Sequence, residues 1–173
     1  MIKTRFIAIG LVIFMVLIFS TSCSSEEFDA TLYNQTKEWV KEDFLKENRV
    51  KGYYLNENYV EGVSNVSDKY IMDTESPSSR TFIISNKDEF NRIFSKTQID
   101  VDFEKEIVIL YIFSDVNPNR NYNLKGIKQQ NTNLTVQIEL EKSEKDDSTM
   151  LYQRCLVLKM RKVDIDCVEF EEI

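Results

Sequence analysis

The fold of this chain is decided by a run of seven apolar residues, Ile107-Val108-Ile109-Leu110-Tyr111-Ile112-Phe113. No charged residue interrupts the run, and all but one of its side chains are β-branched or aromatic. This composition is typical of a strand that is covered on both faces. We therefore predict that residues 107–113 form the central strand of a sheet.

The segment before this run predicts a strand followed by a short helix. Residues 81–84 are strand-like, and Ser85 is a candidate helix cap. Phe90, Ile93 and Phe94 then follow at the spacing of one helical face. We expect this amphipathic helix to pack on the sheet.

The segments after the run predict further antiparallel strands. Gly126 interrupts the phase of the strand that begins near Tyr122, which indicates a bulge. Residues 134–140 alternate between apolar and polar side chains, as in a half-exposed antiparallel strand. Residues 143–149 are a charged loop, and residues 151–160 and 163–170 form two closing strands in this interpretation.

The N-terminal half is less regular. Thr36, Val40 and Phe44 recur at four-residue spacing, which predicts a helix over residues 34–48 that ends before Gly52. A helix followed by strand, helix and many strands favours one α+β domain with a mainly antiparallel sheet and one or two helices.

A cleavable export signal precedes this domain in our interpretation. Lys3 and Arg5 come before an uncharged run over residues 6–19, and Ser20-Thr21-Ser22 leads up to Cys23. Basic residues, a short apolar run and small residues are the order of an export signal. The run has about 14 residues, too few to cross a hydrocarbon core of roughly 30 Å. An uncleaved anchor and soluble secretion are the alternatives.

The cysteine after the small residues resembles the lipobox of bacterial lipoproteins. The resemblance implies removal of residues 1–22, acylation of Cys23, and attachment to a membrane on its extracytoplasmic face. The division that we expect is a signal peptide over residues 1–22, a polar tether over 23–30, a helix and tyrosine-rich segment over 31–79, and an antiparallel sheet domain over 80–173.

The charge of the chain argues against nucleic acid as a partner. Removal of residues 1–22 takes away two basic residues, so 22 become 20 against 29 acidic ones, a net charge of −9. Such a surface repels phosphates and anionic lipid. The membrane contact that we expect is the lipid on Cys23.

Several classes of enzyme are excluded by composition. The chain has no histidine, which rules out histidine-dependent hydrolases and zinc sites with imidazole ligands. Its four glycines form neither a phosphate-binding loop nor a dinucleotide fingerprint. The acidic pairs, such as Asp146-Asp147, lack the glycine-punctuated loop of a calcium site. We predict no cofactor, no metal and no catalytic residue.

Cys155 and Cys167 remain once Cys23 is acylated. Outside the cytoplasm, an even pair favours a disulfide. If the last two strands pair across a three-residue loop at 160–162, the cysteines lie opposite each other, at a Cα separation of about 4.5–5.5 Å that a disulfide can span. The alternative is two free buried thiols, and the sequence does not decide between them.

Arg120 and Tyr122 are candidate partner contacts. They lie in and after an asparagine-rich turn, and both residue types are enriched at binding hot spots. The alternative for Arg120 is an ion pair with a local carboxylate. Tyr53, Tyr54 and Tyr59 likewise form either an exposed aromatic surface or packing over a small sheet.

The C-terminal half resembles a domain of known accessory proteins. The resemblance is to the C-terminal domain of the PrcB family, and it is carried by Phe82-Ile83-Ile84-Ser85, Glu89-Phe90, Phe94, Asp102-Phe103, the central strand and the closing strands. The family is named after an accessory component of a bacterial surface protease complex. The resemblance covers about the last 90 residues and implies an accessory role, with no catalytic residue.

The function predicted from the sequence is therefore a lipid-anchored module of the cell envelope that binds a protein or a peptide. An antiparallel sheet with open edges offers strand addition as a means of binding. The alternative is a hydrolase or other envelope enzyme without a recognisable motif.

Overall fold

The computed structural model describes residues 28–141 and 150–173, which form nine strands and two α-helices. The predicted signal peptide, Cys23 and the loop over residues 143–149 lie outside these ranges. The strands are β1 (Ala30–Tyr33), β2 (Gly52–Leu55), β3 (Tyr70–Asp73), β4 (Ser79–Ile84), β5 (Glu106–Asp115), β6 (Tyr122–Gln130), β7 (Asn133–Leu140), β8 (Tyr152–Arg161) and β9 (Cys167–Glu172). The helices are α1 (Glu42–Glu47) and α2 (Lys87–Ile93).

β5 lies inside a four-stranded antiparallel sheet with the order β1-β8-β5-β4. Its side chains alternate between two cores. Ile107 and Ile109 belong to one cluster of buried residues, and Val108 and Leu110 belong to the other. The prediction of a strand covered on both faces is confirmed, as is the α+β class.

A second sheet, with the order β6-β7-β9, covers one face of the first. β6 and β7 pair antiparallel, with a register shift between Leu124 and Gly126 that confirms the predicted bulge. β9 pairs with β7 in parallel. The two closing strands therefore do not form the hairpin that the disulfide interpretation assumes, because β8 pairs with β5 and β1 instead.

The two helices and the segment before α1 cover the other face. The predicted helix over residues 34–48 is wrong in extent: it is a 3₁₀ turn at Lys37–Trp39, an extended link at Val40, and α1. Backbone hydrogen bonds to the end of α2 and the residues after it interrupt the predicted helix. The Lys41 N–H donates to the carbonyl of Ile93, and the Ser95 N–H donates to the carbonyl of Trp39, at 2.9 Å each.

The N-cap of α2 lies one residue later than predicted. Asn86, not Ser85, is the N-cap, and its side-chain oxygen accepts from the Glu89 N–H at 2.9 Å. The Glu89 carboxylate in turn accepts from the Ser85 N–H at 3.3 Å. This reciprocal arrangement satisfies two backbone donors at the start of the helix.

The N-terminal segment belongs to the same body as the sheets. Phe28 and Ala30 pack against the core between the sheets, and Val40, Leu45 and Val50 are buried in the other core. Phe28 and Ala30, which the prediction places in the tether over residues 23–30, are therefore part of the folded body. No helix in the described ranges is both long enough and apolar enough to cross a membrane.

Candidate functional site

The structure brings both predicted contact residues, Arg120 and Tyr122, to one buried carboxylate at the end of β5. Asp115 is 5% exposed. The Tyr122 hydroxyl donates to its Oδ2 at 2.9 Å, and Arg120 Nη1 donates to its Oδ1 at 3.1 Å. The Asn117 N–H also donates to this Oδ1, at 3.1 Å.

A second arginine, which sequence reasoning did not select as a site residue, completes this cluster. Arg154 lies on β8, is 4% exposed, and donates from Nη1 to Asp115 Oδ2 at 2.9 Å. Its guanidinium also lies over the rings of Phe113 and Tyr122, at 5.7 and 5.8 Å. The sequence signal was an arginine directly before the apolar run Cys155-Leu156-Val157-Leu158 of a strand, since a buried charge requires a partner.

The hydrogen bonds of this cluster hold the asparagine-rich turn in place, which is a structural role and not that of a reactive site. The Asn34 side chain bonds both backbone groups of Tyr122: its Nδ2 donates to the carbonyl at 2.9 Å, and its Oδ1 accepts from the N–H at 2.8 Å. Arg154 also donates to the carbonyls of Asn117 and Arg120. These bonds tie the turn to β8 and to the segment after β1.

The two predicted contact residues therefore differ in their exposure to solvent. Tyr122 is 4% exposed, its hydroxyl is bound by Asp115, and burial beside that carboxylate raises its pKa above the ordinary value. It offers no surface to a partner, which corrects the prediction. Arg120 pairs with a local carboxylate, as the alternative interpretation has it, while a quarter of its side chain stays exposed.

The structure does not join Cys155 and Cys167. Both are free: Cys155 is buried on β8 in the first sheet, and Cys167 is exposed at the start of β9 in the second. The disulfide interpretation required β8 and β9 to pair, and β9 pairs with β7 instead. Burial raises the pKa of the Cys155 thiol to about 12, so the thiol stays protonated and unreactive at neutral pH.

The outer edge of β4 is an open feature of the first sheet. In the described part of the chain, β4 is the last strand of its sheet and pairs only with β5. The Ser114 N–H donates to the carbonyl of Ser78, so Ser78 and Ser114 are a hydrogen-bonded pair. Along an antiparallel strand, the backbone N–H and C=O groups of successive residues point alternately toward and away from the neighbouring strand. Those of Thr81 and Ile83 consequently point away from β5.

This edge opens into a groove of about 560 Å³. α2 forms one wall with Glu89 and Arg92, and the other wall is formed by Val168 of β9 and by Asp166 just before that strand. No backbone hydrogen bond from another described element reaches Thr81 or Ile83 in the groove. The arrangement presents two donors and two acceptors in a row, between walls that carry both signs of charge.

An exposed strand edge of this kind can bind one more strand. Unpaired backbone N–H and C=O groups are a template for an extended chain, and side-chain pockets beside the edge give specificity. β4 alternates its side chains between the two cores, with Phe82 and Ile84 in the helical layer and Ile83 between the sheets. A bound strand would meet α2 on one side and β9 on the other.

Comparison with known proteins gives no match. No protein-family model matches the sequence, and neither the curated proteins nor the solved structures that were compared show a significant similarity. Within residues 28–141 and 150–173, no group of three or more acidic or cysteine side chains is placed to hold a metal ion.

Proposed function

We propose that this chain is a lipid-anchored, extracytoplasmic protein of the cell envelope that binds an extended segment of a protein or peptide partner as an accessory module. One observation carries the binding mode: the edge of β4 is unpaired among the described residues and opens into a groove between α2 and β9. The signal-like N-terminus and Cys23 support the location. The resemblance to the PrcB family supports an accessory role.

The geometry favours an extended ligand over a folded one. β4 has six residues, about 20 Å at the rise of a strand, and its outward donors and acceptors recur at every second residue. Main-chain bonds of this type give affinity with little dependence on ligand sequence, and the wall residues then select among sequences. Arg92 and Asp166 supply opposite charges on opposite walls.

We expect a peptide selection to yield ligands for this groove. Short random peptides on phage would be selected against the full chain in phosphatidylcholine nanodiscs, with empty nanodiscs as the blank. The proposal expects enriched peptides that alternate apolar and polar residues and that lose binding in the Thr81→Pro variant. Binders that are insensitive to this substitution, or no enrichment over the blank, would contradict the proposal.

We also expect Cys23 to carry the lipid. Metabolic labelling with a clickable fatty acid should label the wild-type chain and leave Cys23→Ala unlabelled, because stable attachment requires acyl chains on this residue. Cys167→Ala is a matched control, since it removes an exposed thiol elsewhere and should label as the wild type does. Equal labelling of wild type and Cys23→Ala would end the lipoprotein assignment.

A further inference from the structure

Exposed apolar side chains are concentrated in one short stretch of the chain. The described residues contain eight exposed large hydrophobic side chains, and seven of them lie between residues 55 and 72. Val63 and Val66 are 83% and 81% exposed. We call six of these seven the apolar hairpin surface, leaving out Ile71, which pairs with Tyr54 and lies on the other face of the hairpin: Leu55, Val60, Val63, Val66, Tyr70 and Met72. A concentration of exposed large apolar side chains, unlike scattered single ones, indicates an interaction site.

The surface belongs to a two-stranded hairpin that forms a small sheet of its own. β2 and β3 pair antiparallel, with Leu55 opposite Tyr70 and Tyr53 opposite Met72. Opposed residues share a face, so these four side chains lie together. The hairpin is attached at its base, where the Tyr53 N–H donates to the carbonyl of Leu151 at 2.9 Å. Among the described strands, β3 pairs with β2 alone.

The charges around the surface indicate the kind of partner. Residues 56–76 contain five carboxylates and one cation, Lys69. Lys69 lies over the rings of Tyr59 and Tyr70, at 6.0 and 5.9 Å. A second copy of the hairpin, or an anionic bilayer, would bring like charges together. A partner with an apolar surface and a basic rim would be complementary to the hairpin in both hydrophobicity and charge.

The hairpin also lies far from the point where the described chain begins. The Arg161 N–H donates to the carbonyl of Asp29, so the chain starts beside the end of β8. The hairpin base meets Leu151, at the other end of β8. The ten residues of β8 separate the two points by about 30 Å. An attachment at the N-terminus therefore leaves the hairpin at the distal end of the domain.

We infer that the apolar hairpin surface binds a partner protein through an apolar patch that is rimmed by lysine or arginine. This surface is separate from the β4 groove: the hairpin is joined to the start of β4 through the Lys51 N–H and the Pro77 carbonyl, while the groove lies along Thr81–Ile84. The inference stands whether or not the groove binds a peptide.

The test uses an amphipathic helical peptide with a leucine face and a lysine rim as the probe. The full chain in phosphatidylcholine nanodiscs would carry a benzophenone amino acid at position 63 or, as a matched control, at position 173. Ile173 is the eighth exposed apolar residue, 59% exposed and outside the surface. We expect at least tenfold more peptide adduct at position 63, and little with a peptide whose rim is glutamate.

A binding measurement complements the crosslink. The double variant Leu55→Ser, Met72→Ser keeps the net charge and should weaken binding of the lysine-rimmed peptide at least tenfold, whereas Ile173→Ser should leave it unchanged. Equal adducts at positions 63 and 173, or equal binding by the double variant and the wild type, would show that only net charge attracts the peptide. Dominant adducts to lipid or to a second copy of the chain would also overturn the inference.

Discussion

Asp115→Asn is expected to lower the free energy of unfolding by about 3–5 kcal/mol, because it removes one charged partner of a buried ion pair and leaves the other buried. Asp115 and Arg154 have side chains that are 3% and 4% exposed. Asparagine keeps the volume but removes the charge, so Arg154 would stay buried against a neutral partner. The hydroxyl of Tyr122 would also lose its ionised acceptor.

The measurement is urea unfolding followed by the fluorescence of Trp39, the one tryptophan of the chain. Glu139→Gln is the matched control, because it removes the carboxylate from the Lys125–Glu139 pair, whose side chains are 43% and 47% exposed. Exposed pairs contribute about 0–1 kcal/mol. A loss for Asp115→Asn no larger than that of the control would show that the cluster does not hold the turn.

Thr81→Pro is expected to weaken the binding of a groove-selected peptide at least tenfold while leaving the fold intact. The Thr81 N–H points away from β5, and proline is tolerated where a strand's N–H faces solvent. The substitution removes a donor, and its ring occupies space that the backbone of an added strand needs. Loss of one or two backbone hydrogen bonds, at about 1 kcal/mol each, accounts for part of the effect and the steric block for the rest.

The control for this variant is Thr81→Val, which keeps both the N–H and the β-branched shape. It should bind the peptide within about twofold of the wild type. Thermal unfolding of both variants separates lost binding from lost structure. Unchanged peptide binding by a folded Thr81→Pro protein would mean that the ligand does not pair with β4.

The central sheet could be predicted because its signals are local. The apolar run at residues 107–113 is long enough to identify a buried strand, and Gly126 interrupts an alternation that is otherwise regular. Such patterns reflect which face of a strand is covered. They therefore gave the position of β5 and the bulge in β6 without knowledge of the partners.

The errors arose where distant contacts decide local structure. Thr36 fits a helical stripe, yet its hydroxyl donates to the carbonyl of Cys155 at 3.0 Å, and the helix is interrupted after it. β9 follows β8 in sequence but pairs in parallel with β7, a register that no turn signal encodes.

The candidate site shows the same limit. Arg120 and Tyr122 were identified from residue type, but the carboxylate that binds both could not be chosen from the sequence. Arg154 reaches that carboxylate from 39 positions away. The open edge of β4 likewise depends on strand order, which sequence periodicity does not contain.

Amide hydrogen exchange at β4, measured by NMR with and without a groove-selected peptide, tests the central claim most directly. In the free protein the amides of Phe82 and Ile84, which point toward β5, should exchange slowly, and those of Thr81 and Ile83 should exchange fast. Bound peptide should slow exchange at Thr81 and Ile83 by a factor of ~10 or more, because an added strand accepts hydrogen bonds from them. Unchanged exchange at these two amides in a saturated complex would contradict strand addition at β4.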